Sequence, residues 1–283
     1  MILSGETTTP WIIDILQNSL DTWNEKLGQV FTILTTSPQS FGGGVIYDVI
    51  KDINGAMQSV GLGLLVIFLL VGMVKSATNF EDMKRPEQIL KLFLRFAVAK
   101  AVISYGMPLM TEIFSVGLGI IGQMGTTQIA NMEIAPEIVA AAQEAGFMAT
   151  LFPSILALLG SLIMTVISVM ILLTVFGRMF KIYMYMAVAP IPLSTFAGEA
   201  TKNIGASFLK SFAGVCLEGG LIMLACVIYT AYIGSTGSSI LLPADASLTD
   251  MLYSYVFGTV MNMLILLGTI KACDRIVREM MGL

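Results

Sequence analysis

The chain has 283 residues, of which 56% are hydrophobic and only 12% charged, with a formal net charge of −4. Soluble domains carry about 25% charged residues, so an ordinary soluble globular protein is excluded, and a mean hydropathy of +0.85 points to a lipid bilayer. Histidine is absent, which removes Ser-His-Asp hydrolysis, imidazole metal centres and a His-ligated haem; no GxxxxGK[ST] loop is present either, so the chain is no P-loop motor.

The opening MILSGETTTP has neither a basic n-region nor an apolar h-region, and a cleaved signal is not expected. Over residues 11–35, Leu16, Leu20, Trp23, Leu27, Val30 and Leu34 recur at spacings of three and four, with Asp14, Asp21, Glu25 and Lys26 on the other side. This segment is too polar to span and reads as an amphipathic helix lying on the membrane or on a partner. SPQSFGGG, Ser37 to Gly44, reads as a hinge. Residues 1–55 together form an N-terminal extracytoplasmic amphipathic segment, and 56–283 a membrane domain.

That domain is expected to be all-α, with five spans over roughly 58–75, 92–112, 150–176, 211–233 and 251–271, each near the length of about 20 apolar residues that a helical crossing needs. Pro86 followed by Glu87 marks a helix start before the second span. Residues 122–146, with Glu133, Glu137 and Glu144 and no Lys or Arg, are too polar to cross. After Arg178 and Lys181, the apolar piece IYMYMAVAPIPLSTFA is interrupted by Pro190 and Pro192, which predicts a Pro-broken re-entrant or interfacial helix rather than a sixth span.

The basic residues orient these spans. Loops at 75–100, 178–210 and 271–283 hold 13 of the 15 Lys and Arg residues, among them Lys84, Arg85, Lys91, Arg95, Arg178 and Lys181. The positive-inside rule places those loops in the cytoplasm, which gives N-out and C-in in a bacterial cytoplasmic membrane. There the basic residues are expected to face anionic lipid rather than nucleic acid, since no aromatic interleaving accompanies them.

Two charges fall inside spans, Lys100 and Glu218, at similar depth from the cytoplasmic surface. They suggest either an intramembrane pair or a carboxylate facing a wet, conduit-lining interior while Lys100 snorkels to the headgroups. Ser115, Gly117, Gly119, Gly122, Gly219 and Gly220 favour close helix packing. Cys216, Cys226 and Cys273 read as small apolar residues, and the 20 methionines as adaptable packing. No catalytic residue, metal ligand or cofactor site is expected.

The stretch RMFKIYMYMAVAPIPLSTFAGEATKNIGASFLKSF, Arg178 to Phe212, resembles the central segment of the TrbL-type polytopic inner-membrane subunits of type IV secretion and conjugation systems. The matching elements are Arg178 at the end of a span, Ala189 and Pro190 in an apolar helix, Thr201 and Lys202 in a polar stretch, and Phe208 to Lys210. The resemblance implies a non-enzymatic channel or platform subunit that supports DNA transfer and pilus or stalk assembly. It also implies a homo-oligomer, a pentamer, with secretion ATPases and pilus or stalk proteins as partners and transferred single-stranded DNA as a further contact. The alternative is a secondary transporter or small-solute permease, which predicts repeats and matching broken helices in two halves; the one break legible in the sequence is at Pro190.

Overall fold

A computed structural model describes residues 11–77, 86–124, 131–145, 147–236 and 247–283. Among these, every regular element is helical: α1 (Trp11–Thr35), α2 (Val45–Ala77), α3 (Pro86–Ser104), α4 (Gly106–Gln123), α5 (Pro136–Glu144), α6 (Phe147–Val188), α7 (Pro190–Ser194), α8 (Lys202–Thr236) and α9 (Leu248–Met281). Short 3₁₀ turns occupy Phe41–Gly44 and Thr195–Ala197. Four stretches, Phe41–Val74, Thr150–Val188, Lys202–Ser235 and Leu248–Met281, are long and apolar enough to cross a membrane. A fifth crossing is made if Leu90–Ser104 and Gly106–Gln123, bent by 71°, count as one. The fold is that of a polytopic α-helical membrane protein.

The second span is therefore not the straight helix expected over 92–112. Its bend follows from Pro108, which lacks the N–H that the Ser104 carbonyl would receive four residues on. Regular bonding ends with the Tyr105 amide on Ala101 at 2.8 Å and resumes with the Leu109 amide on Tyr105 at 3.0 Å.

The third span runs on to Val188 as a 42-residue helix, so Arg178, Lys181 and the first half of the expected Pro-broken helix belong to α6. Nothing between Phe176 and Val188 breaks a helix; the break waits for Pro190, which is buried and opens the five-residue α7. Pro192 is the third residue of that turn, and the re-entrant or interfacial helix shrinks to α7 and the 3₁₀ turn after it. Pro190 leaves the Met186 carbonyl without its helical donor. Asn54 of α2, 1% exposed, supplies one from Nδ2 at 2.6 Å. Gly61 sits on the same face about two turns further along α2, where a Cβ would stand 2.6 Å from the Pro190 carbonyl oxygen. Only a glycine lets α2 pass this close.

The chain divides into two compact units. One contains the described parts of Met1–Thr32, Thr126–Val175 and Ile222–Ala272; the other contains those of Ile33–Gly125, Phe176–Leu221 and Cys273–Leu283. In the first unit, the apolar face of α1 (Ile12, Leu16, Leu20, Trp23, Leu27 and Val30) is at most 2% exposed. That face packs inside the protein rather than on a membrane surface: Trp23 meets Tyr229 edge-on with ring centroids 6.4 Å apart, and Ser19 reaches Met164. Asn24 exchanges two 3.0 Å bonds with the Met132 backbone, pinning the non-helical 131–135 segment.

In the second unit the SPQSFGGG hinge is a defined turn. Gly42, Gly43 and Gly44 take φ of 61°, 71° and 83°, values that side-chain-bearing residues avoid. Tyr183 donates to the Pro38 carbonyl at 2.8 Å, and Phe41 contacts Phe176 and Tyr183.

Candidate functional site

The second unit gathers charges from α6, α8 and α9. Arg178 and Lys181, three apart on α6, share one face. Arg178 is 1% exposed. Its Nε donates to the Val215 carbonyl at 3.0 Å and one Nη to the Cys216 carbonyl at 3.1 Å. The guanidinium carbon lies 5.7 Å from the Phe114 ring centre, within cation–π range. Gly219 makes this possible, because a Cβ there would collide with the guanidinium group. Phe114 arrives on α4, which crosses α8 so closely that a Cβ on Gly117 would stand 3.0 Å from the Cys216 carbonyl oxygen. Two of the small residues in the sequence thus have definite jobs: Gly117 admits α4, and Gly219 admits the arginine.

Beside it, Glu218 is 4% exposed. Its Oε2 lies 4.0 Å from Lys181 Nζ and has no hydrogen-bond partner. Lys181 Nζ donates to Asp274 Oδ1 at 3.2 Å, and Asp274 Oδ2 accepts from Arg278 Nε at 3.1 Å. The order across the three helices is Glu218, Lys181, Asp274, Arg278, with alternating sign. These four line a cavity of about 280 Å³ together with Tyr185, Ser211 and Gly214. A lone buried charge would cost several kcal/mol, and alternation is how the cluster avoids that cost.

Of the two readings of Lys100 and Glu218, the intramembrane pair is not what the structure shows. Lys100 is exposed on α3, and the lysine next to Glu218 is Lys181. Equal depth along two helices does not make them neighbours. Arg178 likewise is no lipid-facing cation, since its charge is absorbed by α8 backbone carbonyls and Phe114. Of the other basic residues, Lys91 is exposed and Arg95 forms a two-pronged bridge to Glu199, both bonds 3.1 Å. Lys84 and Arg85 lie outside the described residues. Asp274 and Arg278 were missed by sequence reasoning. Their i, i+4 spacing beside Lys271, Arg275 and Glu279 reads as an ordinary charged helix end.

A buried, backbone-bound arginine and a buried glutamate that opens a row of alternating charges toward the surface, with no cluster of metal-ligating side chains among the described residues, define a polytopic membrane protein in which ionic groups knit helices together. Comparison with known families makes the class specific. Residues 23–190 match the family described as TrbL/VirB6 plasmid conjugal transfer like protein. The match covers more than half of the chain, which therefore belongs to that family, a family of structural secretion-system subunits. The protein is a component of conjugal transfer or type IV secretion and associates with other components of such systems. The matched region takes in Arg178, Lys181 and Pro190 but stops before Glu218 and Asp274. No match is found among curated proteins or among solved structures.

Proposed function

We propose that this protein is a non-enzymatic channel or platform subunit of a conjugative type IV secretion system in the bacterial cytoplasmic membrane. Family membership over residues 23–190 carries the reading. It assembles as a homo-oligomer, a pentamer, with secretion ATPases on its cytoplasmic side, pilus or stalk proteins on the other, and single-stranded DNA as the transferred chain. The 13 basic residues gathered in three alternate segments, 75–100, 178–210 and 271–283, support an N-out, C-in orientation. Membrane lipids contact the many exposed apolar side chains, such as Val66, Leu70, Leu159 and Leu162.

Deleting the gene from a mobile element and scoring transfer of a marker tests the function: transfer is abolished and restored by the intact gene. Native mass measurement from lipid particles tests assembly, and a monomer there overturns the oligomer. The second break, at Tyr105, gives the permease alternative one observation in its favour, because transporters use discontinuous helices. Unchanged marker transfer in the deletion, with a solute-uptake defect, would decide for that alternative.

A further inference from the structure

The cavity at Glu218 is chemically incomplete. It contains a carboxylate oxygen that is buried and without a donor, beside two cations that retain donors. Lys181 spends one hydrogen on Asp274 and has two more; Arg278 spends Nε and keeps both terminal nitrogens. A ligand that completes the site brings an anionic group to the cations and a hydrogen-bond donor, best a positive one, to Glu218. At about 280 Å³ the cavity sits at the small end of ligand pockets, which begin near roughly 300 Å³. That suits a headgroup better than a whole metabolite.

The surroundings indicate the source. Lys181 and Asp274 are 40% and 36% exposed, so the cavity opens outward at that edge. The same turns of α6 and α9 carry exposed apolar side chains: Phe180 and Met184 beside Lys181, Ile276 and Met280 beside Arg278. A polar cavity bordered by apolar outer faces matches a molecule with a polar head and acyl chains, and basic pockets between spanning helices are known lipid sites. We propose that this cavity holds the headgroup of an amino-bearing phospholipid, its phosphate against Lys181 and Arg278 and its ammonium on the Glu218 carboxylate.

The discriminating lipids are phosphatidylethanolamine and phosphatidylcholine with identical chains. Both carry the phosphate, but the quaternary ammonium of choline has no hydrogen to donate. Full-length protein is reconstituted in particles containing both lipids, and lipids retained after release are counted by native mass spectrometry. The ethanolamine lipid is expected to be retained roughly tenfold or more over the choline lipid, the worth of one hydrogen bond between charged groups. Glu218→Gln should weaken that preference severalfold, because the ethanolamine hydrogen bond is then made to a neutral acceptor rather than to a carboxylate. Ser211→Leu fills the cavity while leaving all four charges in place, and should erase it; this variant carries the test if Glu218→Gln does not fold. Equal retention of the two lipids by the native chain, or an unchanged preference in Ser211→Leu, overturns the proposal. Displacement of the lipid by soluble phosphoethanolamine at comparable concentration would overturn the lipid as source, leaving a free aminoalkyl phosphate as the ligand.

Discussion

At the residue scale, Arg178 and Gly219 act as one unit. An alanine methyl at 219 occupies the space of the guanidinium group, and because the blocking group is held by two backbone carbonyls and Phe114 it has nowhere to retreat. Gly219→Ala is expected to lower stability by about 1 to 3 kcal/mol, as overpacking does, read as thermal unfolding in detergent micelles. In an Arg178→Met background the same change should become neutral or stabilising, since alanine exceeds glycine in helix propensity by about 1 kcal/mol. A penalty of equal size in both backgrounds would show that the arginine is not what excludes a side chain. Lys181 and Glu218 make a second unit. A double-mutant cycle with Lys181→Met and Glu218→Gln is expected to give a coupling of about 0.5 to 3 kcal/mol, whereas Lys100→Met and Glu218→Gln should add to within about 0.5 kcal/mol. Coupling at Lys100 instead would restore the pair that the depth argument suggested.

At the element scale, proline decides where helices stop and side chains repair what it leaves. Asn54→Ala strands the Met186 carbonyl and should cost about 1 to 3 kcal/mol, the desolvation penalty of a buried unpaired group. Pro190→Ala returns a backbone N–H to that carbonyl, so the Asn54 penalty should shrink in the double variant; hydrogen exchange at residue 190 would report the new bond directly. The link from Arg95 on α3 to Glu199, just past the Thr195–Ala197 turn, is of another kind. The hydrogen bond and charge of Arg95 hold the Glu199 carboxyl below its ordinary range. A carboxylate lowered in this way stabilises the fold above its unfolded pKa of about 4.3 and loses that contribution as pH falls through the lowered folded value. The side chains are 40% and 70% exposed, which keeps the effect under about 1 kcal/mol. Glu199→Gln is accordingly expected to lower the melting temperature slightly at pH 7 and not at all once the wild-type carboxyl is protonated. A difference persisting in acid would assign the effect to packing.

At the scale of the whole molecule, the number of crossings turns on α3 and α4. If the 71° pair crosses the bilayer, Gln123 lies on the side opposite Pro86, outside the cell in the proposed orientation. Cys216, Cys226 and Cys273 are buried, so a cysteine introduced at Gln123 should stand out against a low background. It is expected to react with a membrane-impermeant thiol reagent in intact cells. Reaction only after permeabilisation would make α3 and α4 a re-entrant loop and leave four crossings.

What the sequence determined by itself is the membrane class, the all-helical fold, the amphipathic α1 and the approximate place of each span. These depend on local composition and on spacings of three and four, and a chain too apolar for water has few other ways to satisfy its backbone. The family was legible in Arg178 to Phe212 for the same reason, as a pattern of charge, small residues and proline along one segment, of which the matched region takes in only the part up to residue 190. Which faces meet is settled only by packing: α1 buries its apolar stripe inside the protein, α2 and not lipid lies against Pro190, and Glu218 answers to Lys181 rather than Lys100. Depth along a helix is one coordinate and rotation about it another. The sequence supplies the first; the second is set by long-range contacts, here by glycines at 61, 117 and 219 that let backbones and one arginine approach where any side chain would hold them apart.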